Sequence, residues 1–473
     1  MNDMTHKTDD HALHEVPESE RQNWLQLAWG TTGIVTTLVQ LFVGALATFV
    51  AGFWIGVISG IMVAIVGGLL GWAVGNVAFK TGLSSSVLAR YHGFGRKGSI
   101  VVALIFGFMI TGFIALENVL LYKGFLFWSE QADTLQMQLM FYGLLSLVWV
   151  GLTAYGFKQV TSVASVTLIA FLGVLVYLMF GIVQSSGQSW VDVFTFGAQL
   201  PDEALVALGA DTTFGKYAFC FNIMIGAAGA LALIDADLGR YSKSTKDIGI
   251  AAGLGNLFMN VLMLIVGAAV MYSGGTHLVN YYVAQGMGLA DAQAQVLQSP
   301  HSVAAAFIIL GGAWGAVLLF LAQGKAQVLN TYSASLSLTS IADVVFDFRP
   351  GRLVFVIAAN LIACLMIALS ILDWFAGFIT ILGVLTTCLS SIIIADYYFI
   401  SNKRKDKKIR TDFHWPGLIT VVVAFISARY IFSGIIPIEF ITSVVVSFIC
   451  YPIVSKLFEK QTNKENNILE INQ

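Results

Sequence analysis

A carboxylate, an amide and an amine stand inside apolar sequence in this chain of 473 residues. Glu117 and Asn118 lie in TGFIALENVLLYKG, and Lys325 lies in LFLAQGKAQVLNTYSASLSL among Gln323, Gln327 and Asn330. A charged side chain in hydrocarbon costs several kcal/mol, so each of these must face a bundle interior or a cavity. Glu117 is one helical turn from Phe113, and ring and carboxylate address one face. That pairing suits a hydrogen-bond acceptor or proton carrier beside an aromatic platform. The other reading is a structural carboxylate held by Lys123 or a backbone group. Lys325 either lines a solute path or snorkels along its helix to water. Asp235 and Asp237 are two residues apart and cannot share a helix face. Asp237 with Arg240 reads as a structural pair or a gate latch, and Asp235 as a candidate for the pathway itself. Gln40, Gln327 and Asn330 are further polar groups for a bound solute.

Other chemistry is not expected. The chain has no Walker A sequence, no nucleophile with a base, and no metal-like spacing among its cysteines, which all sit in apolar segments. Neither catalytic residues, a metal, a cofactor nor enzymatic activity is expected, and the same holds for nucleic-acid binding or an obligatory protein partner.

The elements that must position these groups are membrane helices. The residues are 57% hydrophobic and 11% charged, against about a quarter charged in soluble domains. No Asp, Glu, Lys or Arg occurs from Gln22 to Phe79, enough for two spans of ~20 residues with a tight joint near Ala51-Gly52. The pattern predicts an all-α polytopic protein of twelve spans: 27–51, 54–79, 99–126, 138–157, 161–184, 216–236, 248–272, 303–341, 352–371, 374–399, 413–431 and 436–456. The eighth is long, so it either carries a break or continues beyond the membrane. A tail (1–26), a ten-helix core (27–399), a basic loop (400–412), two further helices (413–456) and a second tail (457–473) make up the expected organisation. Lys80, Arg90, Arg96, Lys97, Lys158, Arg240, Lys243, Lys246, Arg349, Arg352 and the KRKDKKIR cluster at 403–410 fall on one side with both termini. By the positive-inside rule that side is cytoplasmic, in a bacterial inner membrane, with the basic run anchored at anionic lipid.

Small residues suggest discontinuities. Gly30, Gly33 and Gly44 bracket Thr36 and Thr37 in span one, and Gly226 and Gly229 fall in span six. Spans one and six are equivalent in a five-plus-five inverted repeat, where broken helices expose backbone groups at mid-depth for ions or solutes. Close helix packing through small residues is the alternative.

Three motifs carry a family resemblance. KTGLSSSVLARYHGFGRKGS at 80–99 resembles the signature between spans two and three of the nucleobase–cation symporter-1 family. ADLGRY at 236–241 resembles ADFVRF of its cytosine permease branch, and IIADYYF at 393–399 the family's IIADY. The resemblance implies a five-plus-five (LeuT-like) core with broken helices 1 and 6, uptake of a nucleobase-like heterocycle with a cation, and a substrate site on spans one, three, six and eight. It aligns Ile110 and Phe113 with a Gln and a base-stacking Trp, and Ala228 and Ala230 with an aromatic and a Ser. Asp237 falls on the family's Asp, and Asp235 on a Thr. Lys325 falls on a Thr that helps bind sodium beside the break of span one. The implied activity is alternating-access import of a small heterocyclic solute, cytosine- or purine-like, coupled to a proton or independent of sodium. A sodium-coupled symporter of a non-nucleobase solute is the alternative. Gly33, Thr36, Thr37, Lys325, Asp235, Asp237 and Arg240 are the expected coupling or gating residues. Gln40, Phe113, Glu117, Asn118, Ala228, Ala230, Gln327 and Asn330 are the expected substrate ligands.

Overall fold

The computed structural model describes residues 11–154, 157–401 and 411–471. The basic cluster at 403–410 lies outside the described residues. Helices account for the architecture, and no strand occurs among the described residues. In chain order the α-helices of seven residues or more are α1 Trp24–Val35, α2 Leu38–Ala51, α3 Phe53–Thr81, the short α4 Ser85–Tyr91, α5 Ser99–Ser129, α6 Leu135–Thr153, α7 Phe157–Ser185 and α8 Thr213–Gly239. There follow α9 Thr245–Leu257, α10 Met263–Ala284, α11 Leu289–Gln298, α12 His301–Phe346, α13 Arg352–Ala368, α14 Phe375–Ala395, α15 Trp415–Ile426 and α16 Glu439–Ile471.

These helices fall close to the predicted spans. Among the described residues nine helices are long and apolar enough to cross a membrane, or ten if the bent pair α1–α2 is one span. Arg352–Ala368 and Trp415–Ile431 are apolar but shorter, and the count of twelve is reached only with both. Ala51-Gly52 is the expected joint: Gly52 at φ 90° turns α2 directly into α3, in backbone space that favours glycine.

Helix packing repeats with a shift of five spans. Span one (α1–α2) packs on span five (α7) and span seven (α9–α10); span six (α8) packs on span ten (α14) and span two (α3). Span three (α5) lies along span eight (α12). It also touches spans nine and ten (α13, α14), as α12 touches spans four and five (α6, α7). Adding five to each span number maps one set of contacts onto the other, as a five-plus-five repeat requires.

The breaks are distributed differently from the sequence expectation. Span one is broken: Thr36 (ψ 72°) and Thr37 (φ −122°, ψ 171°) are non-helical, and the two halves meet at 67°. Span six is not broken, for α8 is one α-helix from Thr213 to Gly239. Its glycines serve packing instead. A Cβ at Gly226 would lie 2.9 Å from the Ile379 carbonyl oxygen, and one at Gly229 would lie 2.6 Å from the Thr387 hydroxyl. Both glycines admit α14 against α8, the close approach that small residues permit in membranes. A second discontinuity is Gly312, at φ 55° and ψ −132°, inside the 46-residue α12. The long eighth span thus carries a break, and its helix runs on to Phe346.

Candidate functional site

The break in span one organises the interior. Ending α1 at Val35 leaves carbonyls of its last turn without helical partners and concentrates negative partial charge there. Lys325, fully buried on α12, donates its Nζ to the Thr36 carbonyl and to the Ala322 carbonyl at 3.0 Å. The same Nζ lies 3.9 Å from the ring centroid of Phe171 on α7, a cation–π contact strengthened by desolvation. One amine therefore ties spans one, five and eight together. Lys325 does not snorkel to water.

On the other side of the break, Thr37 caps α2 by accepting from the Gln40 amide at 3.4 Å. Thr37, Gln40, Phe113, Glu117, Ala230 and Asn330 surround a cavity of about 30 Å³ with Ile34, Val35, Ala227, Leu231, Ile234 and Met259. That volume holds a water-sized guest, so admitting a heterocycle requires the walls to part. Phe113 meets Phe378 edge-on, at 6.1 Å and 86°, which braces the ring. Thr37, Gln323 and the Val39 amide surround the Glu117 carboxylate, with Lys325 near enough to act on it electrostatically. Glu117 Oε2 has no hydrogen-bond partner of ordinary geometry. Lys123, the partner considered from sequence, instead pairs with Asp133 at 2.7 Å.

Several expected ligands lie elsewhere. The Asn118 Oδ1 accepts from Trp149 Nε1 at 2.9 Å and from Gln327 Nε2 at 2.7 Å, and Gln327 also donates to the Ile114 carbonyl at 2.9 Å. Asn118 and Gln327 thus form a clamp joining α5, α6 and α12, behind the cavity. Ala228 points at Gly67 of α3. The lining face of α8 is 227, 230, 231 and 234, a spacing of three to four residues, and Ala228 lies off it. Gly33 faces Ala164 and Leu329 in a packing contact.

The inner end of α8 is a separate network. The Asp237 Oδ1 accepts from the Ser85 amide of α4 at 2.8 Å. Arg240 donates to the Asp237 carbonyl at 3.3 Å, to Tyr332 Oη at 2.7 Å and to the His11 carbonyl at 2.7 Å. Arg240 also acts on the Asp237 carboxylate electrostatically, as the expected pair would. The N-terminal segment is strapped over this end: Val16 donates to the Gly82 carbonyl at 3.0 Å and Ser84 to the Ala12 carbonyl at 3.3 Å. Asp396, in the IIADYYF segment, is 1% exposed and engaged by His92 at 2.9 Å and Tyr451 at 2.6 Å. Asp235 lies apart from both the cavity and this network.

Sequence reasoning missed the apolar walls, above all Met259. It sits in a π-turn at Phe258–Leu262, between α9 and α10. One methionine within an apolar span carries no signal of its own. The α8 face was legible, since the spacing from Ala230 generates Ala227, Leu231 and Ile234.

No protein-family profile matches the chain, and no curated protein matches it in sequence. In three dimensions it is similar to Mhp1, a nucleobase-cation-symport-1 family transporter, in a closed conformation with bromovinylhydantoin bound. The TM-score is 0.70 at 15% identity, over 95% of this chain and 96% of that one. Inward-facing Mhp1 matches with a TM-score of 0.68 at 16% identity, over 94% and 93% of the two chains. A Na+-coupled sialic acid symporter in a substrate-bound outward-open state matches with 0.61 at 14% identity, over 94% and 92%. At these identities the likeness establishes the fold, and the chain has the architecture of these membrane transporters over nearly its whole length.

Proposed function

We propose that the protein is a secondary transporter of the nucleobase–cation symporter-1 type that imports a planar heterocycle by alternating access, with the Lys325 amine standing where a sodium ion would bind. The observation that carries the coupling half is the Lys325 contact with Thr36 at the break of span one. An ammonium and a sodium ion repel each other in one small site, so the lysine favours sodium-independent transport. The cavity supports the substrate half. Phe113 offers an apolar ring, Glu117 an acceptor, and Gln40 and Asn330 amides, all lining one small cavity among spans one, three, six and eight. The likeness to Mhp1, bound to a hydantoin, agrees with a small planar ligand. Both termini are cytoplasmic on this reading, in a bacterial inner membrane.

The test is uptake into proteoliposomes of labelled uracil, cytosine, hypoxanthine and a hydantoin, each with sodium and with choline replacing it. Saturable uptake of at least one ring, equal in both buffers, is expected. Uptake of none of them would remove the substrate class. Strong saturable stimulation by sodium would remove the lysine substitution and favour the sodium-coupled alternative.

A further inference from the structure

Asp235 is a carboxylate that neither the cavity nor the inner network uses. It is wholly buried on α8, and neither oxygen has a hydrogen-bond partner of ordinary geometry, Thr31 being the one hydroxyl near enough to act on it. Glycines bring the helices in around it. A Cβ at Gly71 of α3 would collide with its Oδ2 and would touch Ala252 of α9 at 3.2 Å. Thr31 of α1 is the polar side chain beside it. One turn further along the same faces, Gly67 meets the Asn256 side-chain oxygen. The Thr31 hydroxyl and Asn256 Oδ1 are buried and unpartnered as well. Polar atoms of Asp235, Thr31 and Asn256 are thus buried without partners of ordinary geometry where spans one, two, six and seven pack together, Asn256 Nδ2 alone being taken by the Ala252 carbonyl at 3.0 Å.

No charged group among the described residues interacts with this carboxylate. On α8 itself, Asp237 and Arg240 are taken by the network above. Helices α1 and α2 carry no ionisable side chain. Lys80, at the end of α3, and Lys246, on α9, are exposed, while Asp247 is half-buried. Arg90 of α4 pairs with Asp343 at 2.6 Å, Glu117 of α5 faces the cavity, Asp396 after α14 is held by His92 and Tyr451, and Glu439 of α16 pairs with Arg429 at 2.5 Å.

We infer that Asp235 is the proton-binding site of the transport cycle, closed by Thr31 of α1. An isolated carboxylate in a dry interior is tolerated as the acid rather than the anion. A sodium ion would need several oxygens around an open space, which the glycine contacts leave no room for; a proton needs none. The gate is α1, whose Thr31 packs into the notch at Gly255 and whose hinge is the non-helical pair Thr36–Thr37. Swinging α1 outward lifts Thr31 and lets water reach the carboxylate from the side of the N-terminal segment. Closing α1 over a bound solute requires the proton again, so solute binding draws a proton by linkage. The emptied, hydrated pathway solvates the anion and lets the carrier return without it. Glu117 and Lys325 are left to bind solute and to hold spans one and eight.

This inference rests on the transport reading, and the experiment separates the two. Purified protein is titrated with a transported heterocycle in weak buffer with a pH indicator, and reconstituted protein is assayed for solute counterflow and for pH-gradient-driven accumulation. Wild type is expected to take up about one proton per solute bound. Asp235→Asn, which resembles the protonated acid, is expected to bind and exchange solute while losing proton uptake and gradient-driven accumulation. If D235N still takes up the proton, the assignment is overturned; so it is if wild-type accumulation ignores the pH gradient, or if sodium restores coupling through Asp235. If wild type exchanges no heterocycle, the transport reading fails instead. A solute-free readout then decides Asp235: infrared spectra at neutral pH should show a protonated-carboxyl band in wild type that D235N lacks, and identical spectra would overturn the site.

Discussion

Lys325 donates its amine to the carbonyl of Thr36, the first non-helical residue of span one. Two residues 289 positions apart in sequence thereby share the point where the helix is interrupted. The contact holds because each side needs the other: the broken helix end offers an unpaired, electronegative carbonyl, and the buried amine has no water. Replacing Lys325 by Thr should abolish most sodium-independent uptake, by tenfold or more. It should also create a sodium dependence absent from wild type. Initial rates in sodium and choline buffers measure both effects, and unchanged sodium-independent uptake in K325T would contradict the role.

Phe113 should govern affinity. Stacking of a planar base on an aromatic ring is worth about 1–3 kcal/mol, or roughly 5- to 150-fold in Kd. Phe113→Ala should weaken heterocycle binding by that order, measured by calorimetry on the folded fraction of purified protein, because loss of a buried ring packed on Phe378 also lowers the melting temperature. Equal affinity for every transported ring would exclude stacking.

Asn118 should behave in the opposite way. Asn118→Ala strands the Trp149 and Gln327 donors, and each buried unpaired group costs about 1–3 kcal/mol. Thermal stability in detergent should fall clearly while solute Kd changes less than about threefold, which is under ~0.7 kcal/mol. A large loss of affinity with stability intact would return Asn118 to the binding site.

Gly226 distinguishes a hinge from a packing contact. A methyl there presses on the Ile379 backbone, and overpacking costs about 1–3 kcal/mol. Gly226→Ala should lower the melting temperature, and Gly383→Ala, facing it from α14, should do the same. Preserved stability with altered transport kinetics in G226A would mark a hinge.

Acid should loosen the loop between α5 and α6. Partial burial raises the Asp133 pKa, but hydrogen bonds from Gln138, Lys123 and Tyr122 outweigh it and hold the carboxyl below its usual range. A lowered folded pKa contributes stability that is complete above the unfolded value of about 3.9 and is lost as pH falls through the folded value. Asp133→Asn should therefore lower stability at neutral pH and leave less to lose in acid. Hydrogen exchange of residues 130–138 against pH measures this, and identical profiles for wild type and variant would contradict it.

The sequence by itself determined the class of the protein and most of its helix map. Uncharged apolar runs admit few outcomes in a membrane, because backbone groups must be satisfied inside each helix. The break at Thr36–Thr37 was legible too, since glycines flank β-branched threonines whose hydroxyls can cap a new helix. So were Gln40, Phe113, Glu117 and Asn330, polar or aromatic side chains on spans assigned to one interior. What only the tertiary structure decided was where each polar group finds its partner. Gly226 and Gly229 look alike in sequence whether they break a helix or admit a neighbour, and α14 decides for packing. Asn118 adjoins Glu117, yet a turn of about 100° sends it to Trp149 and Gln327 instead of the cavity. Asp235 shows the same limit from the other side. Its isolation is a property of Gly71, Ala252 and Thr31 on three other helices, brought together only by the fold.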